Sequence, residues 1–197
     1  MDIDPMDAVS DVTAERDARG RLNTLVTITV ALLATFMGVC KVKDDNIVQA
    51  MQQAQADRID HWSYYQAKNV REEVAHATAD QLRAQATALP AGAVALRETA
   101  ARYDSIAHNE SVKKEQVRLQ AEGDQKSYDA LNYRDDQFDL SDALAAIAIS
   151  LLAITSLTQK RWLYATALVP TAIAIVMGLA GLLEWHLHSD TIARLLS

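Results

Sequence analysis

Residues 22–39 read LNTLVTITVALLATFMGV, a stretch without a single charge. Its length is close to the roughly 20 residues that a helix needs to cross the hydrocarbon core of a bilayer. Arg19 and Arg21 stand at one end, and Lys41, Lys43, Asp44 and Asp45 at the other. We therefore expect a transmembrane helix over 22–40, preceded by a polar N-terminal segment, 1–21. Residues 162–183, WLYATALVPTAIAIVMGLAGLL, have the same character, between Lys160 and Arg161 before and Glu184, Trp185 and His186 after. Trp162, Tyr164 and Trp185 would sit at the two interfaces, where amphipathic rings are favoured, and the span is read as 162–185. The stretch 143–158 is shorter and opens on Asp142. It can cross if its helix starts near Leu140 and tilts little, giving a span over 140–158; a buried amphipathic helix is the alternative. Residues 158–161 are too few to do anything but join two antiparallel helices. A tail, 186–197, follows the last span.

Between the first and second spans lies a polar segment, 41–139. It breaks once, at Leu89-Pro90-Ala91-Gly92, where Pro cannot continue a helix and Gly readily turns the chain. Two arms of nearly equal length, each on the order of 65 Å, are expected to leave the membrane and return as an antiparallel, coiled-coil-like hairpin. Val48, Ile59 and Val70 recur every eleven residues in the first arm, as do Ile106, Val117 and Tyr128 in the second. Such a repeat predicts nearly straight or slightly right-handed pairing along that seam. The seam is polar and alanine-rich, which points to further packing from other subunits.

Composition fits this all-α membrane reading. Half the residues are apolar, yet only 6 are Gly and 3 are Pro. No alternating β-branched run suggests a strand. A net charge of −7 with no cluster of Lys and Arg excludes nucleic acid as a partner. Cys40, the single cysteine, cannot form an intrachain disulfide. Met37, Gly38 and Val39 before it and the acidic leader fit a lipoprotein signal poorly, so Cys40 reads as a small interfacial residue. Arg16, Arg19 and Arg21 before the first span, with Lys160 and Arg161 in the only short loop, place the N-terminus and that loop inside. The hairpin is then outside, which in a Gram-negative cell is the periplasm.

Just inside the first arm stands Trp62-Ser63-Tyr64-Tyr65-Gln66-Ala67-Lys68, after Asp60-His61. Asp135-Asp136-Gln137-Phe138-Asp139 precedes the two C-terminal spans. On these segments the chain, from Arg21 to Trp185, resembles an uncharacterised bacterial membrane-protein family with a Trp-x-Tyr-Tyr-Gln-Ala-Lys segment after its N-terminal span. The resemblance implies a three-span helical protein of bacterial origin, and the membrane is read as the bacterial inner (plasma) membrane. It carries over no catalytic residue, ligand or substrate.

Trp62, Tyr65 and Lys68 lie on neighbouring faces of one helix, with the rings three residues apart and able to stack. With Tyr64 and Gln66 they form either a packing cluster or a docking platform. Glu184, His186, His188 and Asp190 are four potential metal ligands, pairing at i,i+4 if the helix continues. Polar residues are expected there simply because the span has ended, so no metal or other cofactor is assigned. His61, His76 and His108 read as solvated. Thr27, Ala31, Ala34 and Gly38 form one stripe of small residues for helix contact, and Ala174 with Gly178 another, while Pro170 is expected to kink the third span. Asp142 stands beside a small-residue groove. No phosphate-cradling loop, nucleophile elbow, zinc-spaced Cys or His set or haem motif occurs, so no enzyme is expected. The leading expectation is a homo-oligomeric membrane scaffold whose hairpin meets envelope proteins. The alternative is an oligomeric ion channel or small-solute conduit lined by the third span.

Overall fold

The computed structural model describes the backbone of residues 5–185 and the side chains from Arg19 onward. The described chain is helical throughout. Helix α1 runs Pro5–Ala88, a 3-10 turn covers Pro90–Gly92, α2 runs Ala93–Thr158 and α3 runs Arg161–Leu183. Pro90 opens the turn, where its missing N–H costs nothing, and the Gly92 amide donates to the Leu89 carbonyl at 3.2 Å. Gln159, with φ at 57°, reverses the chain between α2 and α3. Its side chain donates to Asn23 Oδ1 at 2.8 Å, tying that corner to α1. All three helices are long and apolar enough to cross a membrane. Pro170 lies inside α3, which runs on past it.

The chain divides into two compact units, one of them Gln49–Leu131, the other formed by the chain up to Val48 and from Asn132 on. In the latter, large residues of α1 pack on alanines. Leu33 is buried against Ala145, Ala148 and Ala174, and Val26 lies with Leu152 and Ala167. Alanine's single methyl lets backbones approach closely and leaves holes that a leucine fills. The face of α1 so covered is Leu22, Val26, Leu33 and Cys40. The small-residue stripe expected for contact, Thr27, Ala31, Ala34 and Gly38, is exposed instead. A helix needs small side chains only where another backbone comes close, and here the large side chains of α1 meet small partners. The second stripe does lie inside: Ala174 and Gly178 are both buried in α3. Thr27, Thr29, Thr35, Thr155 and Thr171 each donate their hydroxyl to the carbonyl four residues back, which satisfies these groups within their own helices.

In the unit Gln49–Leu131, the covered positions repeat every seven residues, not every eleven. Met51, Arg58, Tyr65, Glu72, Ala79 and Ala86 form one row on the first arm, and Ala54, His61, Lys68, Ala75 and Leu82 the row beside it. On α2 the rows are Ala100, Ala107, Lys114, Ala121 and Tyr128, with Leu96, Tyr103, Glu110, Val117 and Asp124. Ile59, Val70 and Ile106, members of the expected eleven-residue seam, are about half exposed, at 55%, 60% and 48%. The inner rows hold many alanines and paired charges, so Ile59, Val70 and Ile106 fall on an outer face, while Val117 and Tyr128 of the same expected seam lie in the covered rows. Contacts step in opposite directions along the two arms, from Arg83 with Asp104 to Lys68 with Glu110 and His61 with Asp124.

Candidate functional site

The Trp62–Lys68 segment forms about two turns of α1 within the Gln49–Leu131 unit. Trp62 meets Tyr65 edge to face, centroids 5.3 Å apart and planes at 76°. Lys68 Nζ lies 2.9 Å from Glu110 Oε2, with both side chains largely covered. One step along, Lys114 Nζ sits 2.6 Å from Glu72, donates to Asn69 Oδ1 at 3.0 Å, and lies 6.0 Å over the Tyr65 ring. Tyr64 and Gln66 point outward. The segment is therefore split: Tyr65 and Lys68 serve the seam, Trp62 borders it, and Tyr64 and Gln66 face away. His61, expected to be solvated, is half-buried with Nδ1 2.6 Å from Asp124. His76 and His108 are exposed.

The hydrogen bond from Lys114 holds the Glu72 carboxyl below its ordinary range, and that from Lys68 does the same for Glu110. A carboxylate depressed in the fold contributes stability above its unfolded pKa and loses it as pH falls through its folded value. The seam is thus expected to weaken on acidification below about pH 4.

The other unit holds a group of opposite sign, absent from the sequence-level site. Asp44 on α1 is only 4% exposed. One of its carboxylate oxygens receives Lys41 Nζ at 2.7 Å, while Oδ1 is buried with no partner. Asp135 on α2 comes against it, and burial, the hydrogen bond shared with Asp44 and the nearby charges of Asp139 and Asp136 raise Asp135 to about 6. A proton on Asp135 given to Asp44 satisfies the orphaned oxygen and removes one of two close charges. Here the sign reverses. Asp135 binds its proton more tightly folded than unfolded, so stability falls as pH rises from about 4 towards 6 and stays lower above. Asp135→Asn keeps a donor and lacks the charge. It is expected to melt above wild type at neutral pH, with the difference closing below about pH 4, in circular-dichroism melts across pH. A lower melting temperature at neutral pH would refute the shared proton. Asp142, half-buried on the same side of α2, shares this acidic end.

At the far end of α3, Arg134 Nη1 holds Glu184 at 2.9 Å and its Nη2 donates to the Gly181 carbonyl at 3.2 Å, while Gln137 donates to the Trp185 carbonyl at 2.9 Å. The i,i+4 ligand spacing assumes that α3 runs on beyond the span. The helix stops at Leu183, and Glu184 turns left-handed, φ 58°. His186, His188 and Asp190 lie outside the described residues. Among the described residues no group of three His, Cys, Asp or Glu is placed to hold a metal. At Gly178 α3 lies close against its neighbours. A Cβ there would lie 2.7 Å from two Phe36 ring carbons and 2.8 Å from Ser141 Oγ.

A family model described as a domain of unknown function, DUF4337, matches residues 22–184. The chain belongs to the DUF4337 family. No curated protein and no solved structure matches it. The DUF4337 match takes in the Trp62–Lys68 segment, the Asp44–Asp135 pair and Gly178, and stops at Glu184, where α3 ends.

Proposed function

We propose that this DUF4337 protein is a non-enzymatic, homo-oligomeric membrane scaffold, multi-pass in a bacterial inner membrane. Its apolar segments cross three times, and its arms form an extramembrane antiparallel coiled coil that meets envelope proteins. The observation that carries the reading is where the arms leave their apolar residues. Alanines and paired charges fill the seam, while Ile59, Val70, Val74, Val112 and Leu119 remain on outer faces, between 47% and 60% exposed. Apolar stripes that the chain does not cover itself suit packing against further helices. Buried charge pairs such as Lys68–Glu110 are poor sources of net stability but good at fixing register, a role suited to an assembly. A seven-residue repeat favours a left-handed supercoil, replacing the straight or right-handed pairing expected from eleven.

The conduit alternative draws less support. Val169, Ile173, Val176 and Leu183 give α3 an apolar outer face, suited to lipid or helix contact more than to a wet lumen. Light scattering in mild detergent, corrected for the micelle, is expected to return a multiple of the 21.6 kDa chain mass. A clean monomer would sink the homo-oligomer and with it the scaffold reading.

A further inference from the structure

The two ends of the span-bearing unit differ in charge. No acid occurs in the sequence between residues 19 and 43 or between 143 and 183. Asp44, Asp135, Asp139 and Asp142 all fall towards one end, and Arg21, Lys160 and Arg161 at the other. At this second end a groove of about 300 Å³ opens between the start of the apolar stretch of α1 and the first turn of α3. Arg21 and Arg161 line it, with Leu22, Leu25 and Tyr164. Both guanidiniums are exposed, and among the described residues neither has a carboxylate or hydrogen-bond partner. The Tyr164 hydroxyl and Thr29 Oγ1 are 3.0 Å apart, which fixes the ring as a wall. No side chain caps the first turn of α3. Two exposed arginines beside one groove, unpaired among the described residues, offer an anion charge of the opposite sign.

We propose that this groove binds the headgroup phosphate of an acidic phospholipid. Arginine's planar fork matches phosphate oxygens in pairs, which a lysine's point charge does not. The leucines and the tyrosine ring offer apolar surface to the glycerol and upper acyl chain, beyond what a free phosphate would use. Lys160 beside the groove adds charge that favours the inner leaflet's acidic surface. The inference rests on the reading of these helices as membrane spans, and its test separates the two.

Full-length protein carrying Trp62→Phe and Trp185→Phe retains Trp162, adjacent to Arg161 and 65% exposed, as its only tryptophan. It is reconstituted into phosphatidylcholine nanodiscs in which a small fraction is acyl-brominated phosphatidylglycerol or, in parallel, acyl-brominated phosphatidylcholine. Brominated phosphatidylglycerol is expected to quench Trp162 as if enriched roughly tenfold over its bulk fraction, from about fivefold per contacting cation less the loss to competing lipid. Brominated phosphatidylcholine should quench only in proportion to its fraction. Arg21→Gln with Arg161→Gln should abolish the preference while helicity is kept, and Arg161→Lys should weaken it. If the double variant does not reconstitute, Arg161→Gln alone, at an exposed position, carries the same expectation. Equal quenching by the two lipids, or a preference that survives the glutamines, overturns the site and leaves the spans standing. Relief of quenching by inorganic phosphate, at ionic strength matched with chloride, overturns the lipid in favour of a free anion. No quenching by either lipid means that Trp162 does not meet the bilayer, and the span reading falls first.

Discussion

Gly178→Leu is expected to abolish the folded span-bearing unit, seen as loss of a monodisperse detergent-solubilised particle and of a cooperative melt. The Cβ alone would stand 2.7 Å from the Phe36 ring and 2.8 Å from Ser141 Oγ, and leucine adds three further carbons beyond it. Ser141 is held by its hydrogen bond to the Ala174 carbonyl at 2.8 Å, and Phe36 belongs to the packed side of α1, so neither neighbour yields cheaply. Overpacking commonly costs about 1–3 kcal/mol where a core adjusts, and more where it cannot. On the proposed membrane reading the cost bites harder, because close packing rather than hydrophobic burial holds transmembrane helices together. Gly38→Leu supplies the control. A Cβ there meets nothing within 4 Å, so the same substitution should change the melting temperature little. Equal damage at both positions would show that loss of glycine itself, and not the approach at Gly178, is responsible.

The second large effect is expected from Lys68→Glu. The new carboxylate would face Glu110, a residue only 8% exposed whose charge Lys68 answers at 2.9 Å. Removing one partner of a covered pair strands the other, and placing a like charge opposite it adds repulsion. Melting temperature and helicity should both fall. Glu110→Lys added to Lys68→Glu restores the pair with its sign reversed, and most of the loss should return. Failure of the double variant to recover would mean that the pair does not set the register of the arms. Lys113, at 3.6 Å from Glu110 Oε1, offers a mainly exposed substitute too weak to replace Lys68.

What the sequence let one read follows a physical rule. Uninterrupted apolar runs and the Pro90–Gly92 break are signals carried by each residue alone, and the helices and the turn fall where those residues stand. The seam of the arms was not legible because about half of its row positions are alanine, lysine or glutamate. A search for apolar spacing passes over them and finds Ile59 and Val70 on the outside. The contact face of the first span was misread for a related reason. Small residues mark a close approach only if the partner is also close, and Leu33 turned inward against alanines instead. The Asp44–Asp135 pair joins carboxylates from distant parts of the chain, and neither position differs locally from an ordinary solvated aspartate. A better signal existed: once Met51, Ala79 and Ala86 are set in a seven-residue register, Glu72 falls in the same row and Lys114 in the corresponding row of α2. A charge in such a row needs an opposite charge across from it.

If the apolar part of α2 crosses the bilayer, as proposed, Ala91 and Gln159 lie on opposite sides. Single cysteines at these two positions, in a Cys40→Ser background, can be treated in intact cells with a membrane-impermeant thiol reagent. Labelling is expected at Ala91→Cys without permeabilisation, and at Gln159→Cys only after it. Labelling of Gln159→Cys but not Ala91→Cys would invert the topology, and equal labelling of both in intact cells would contradict the crossing itself.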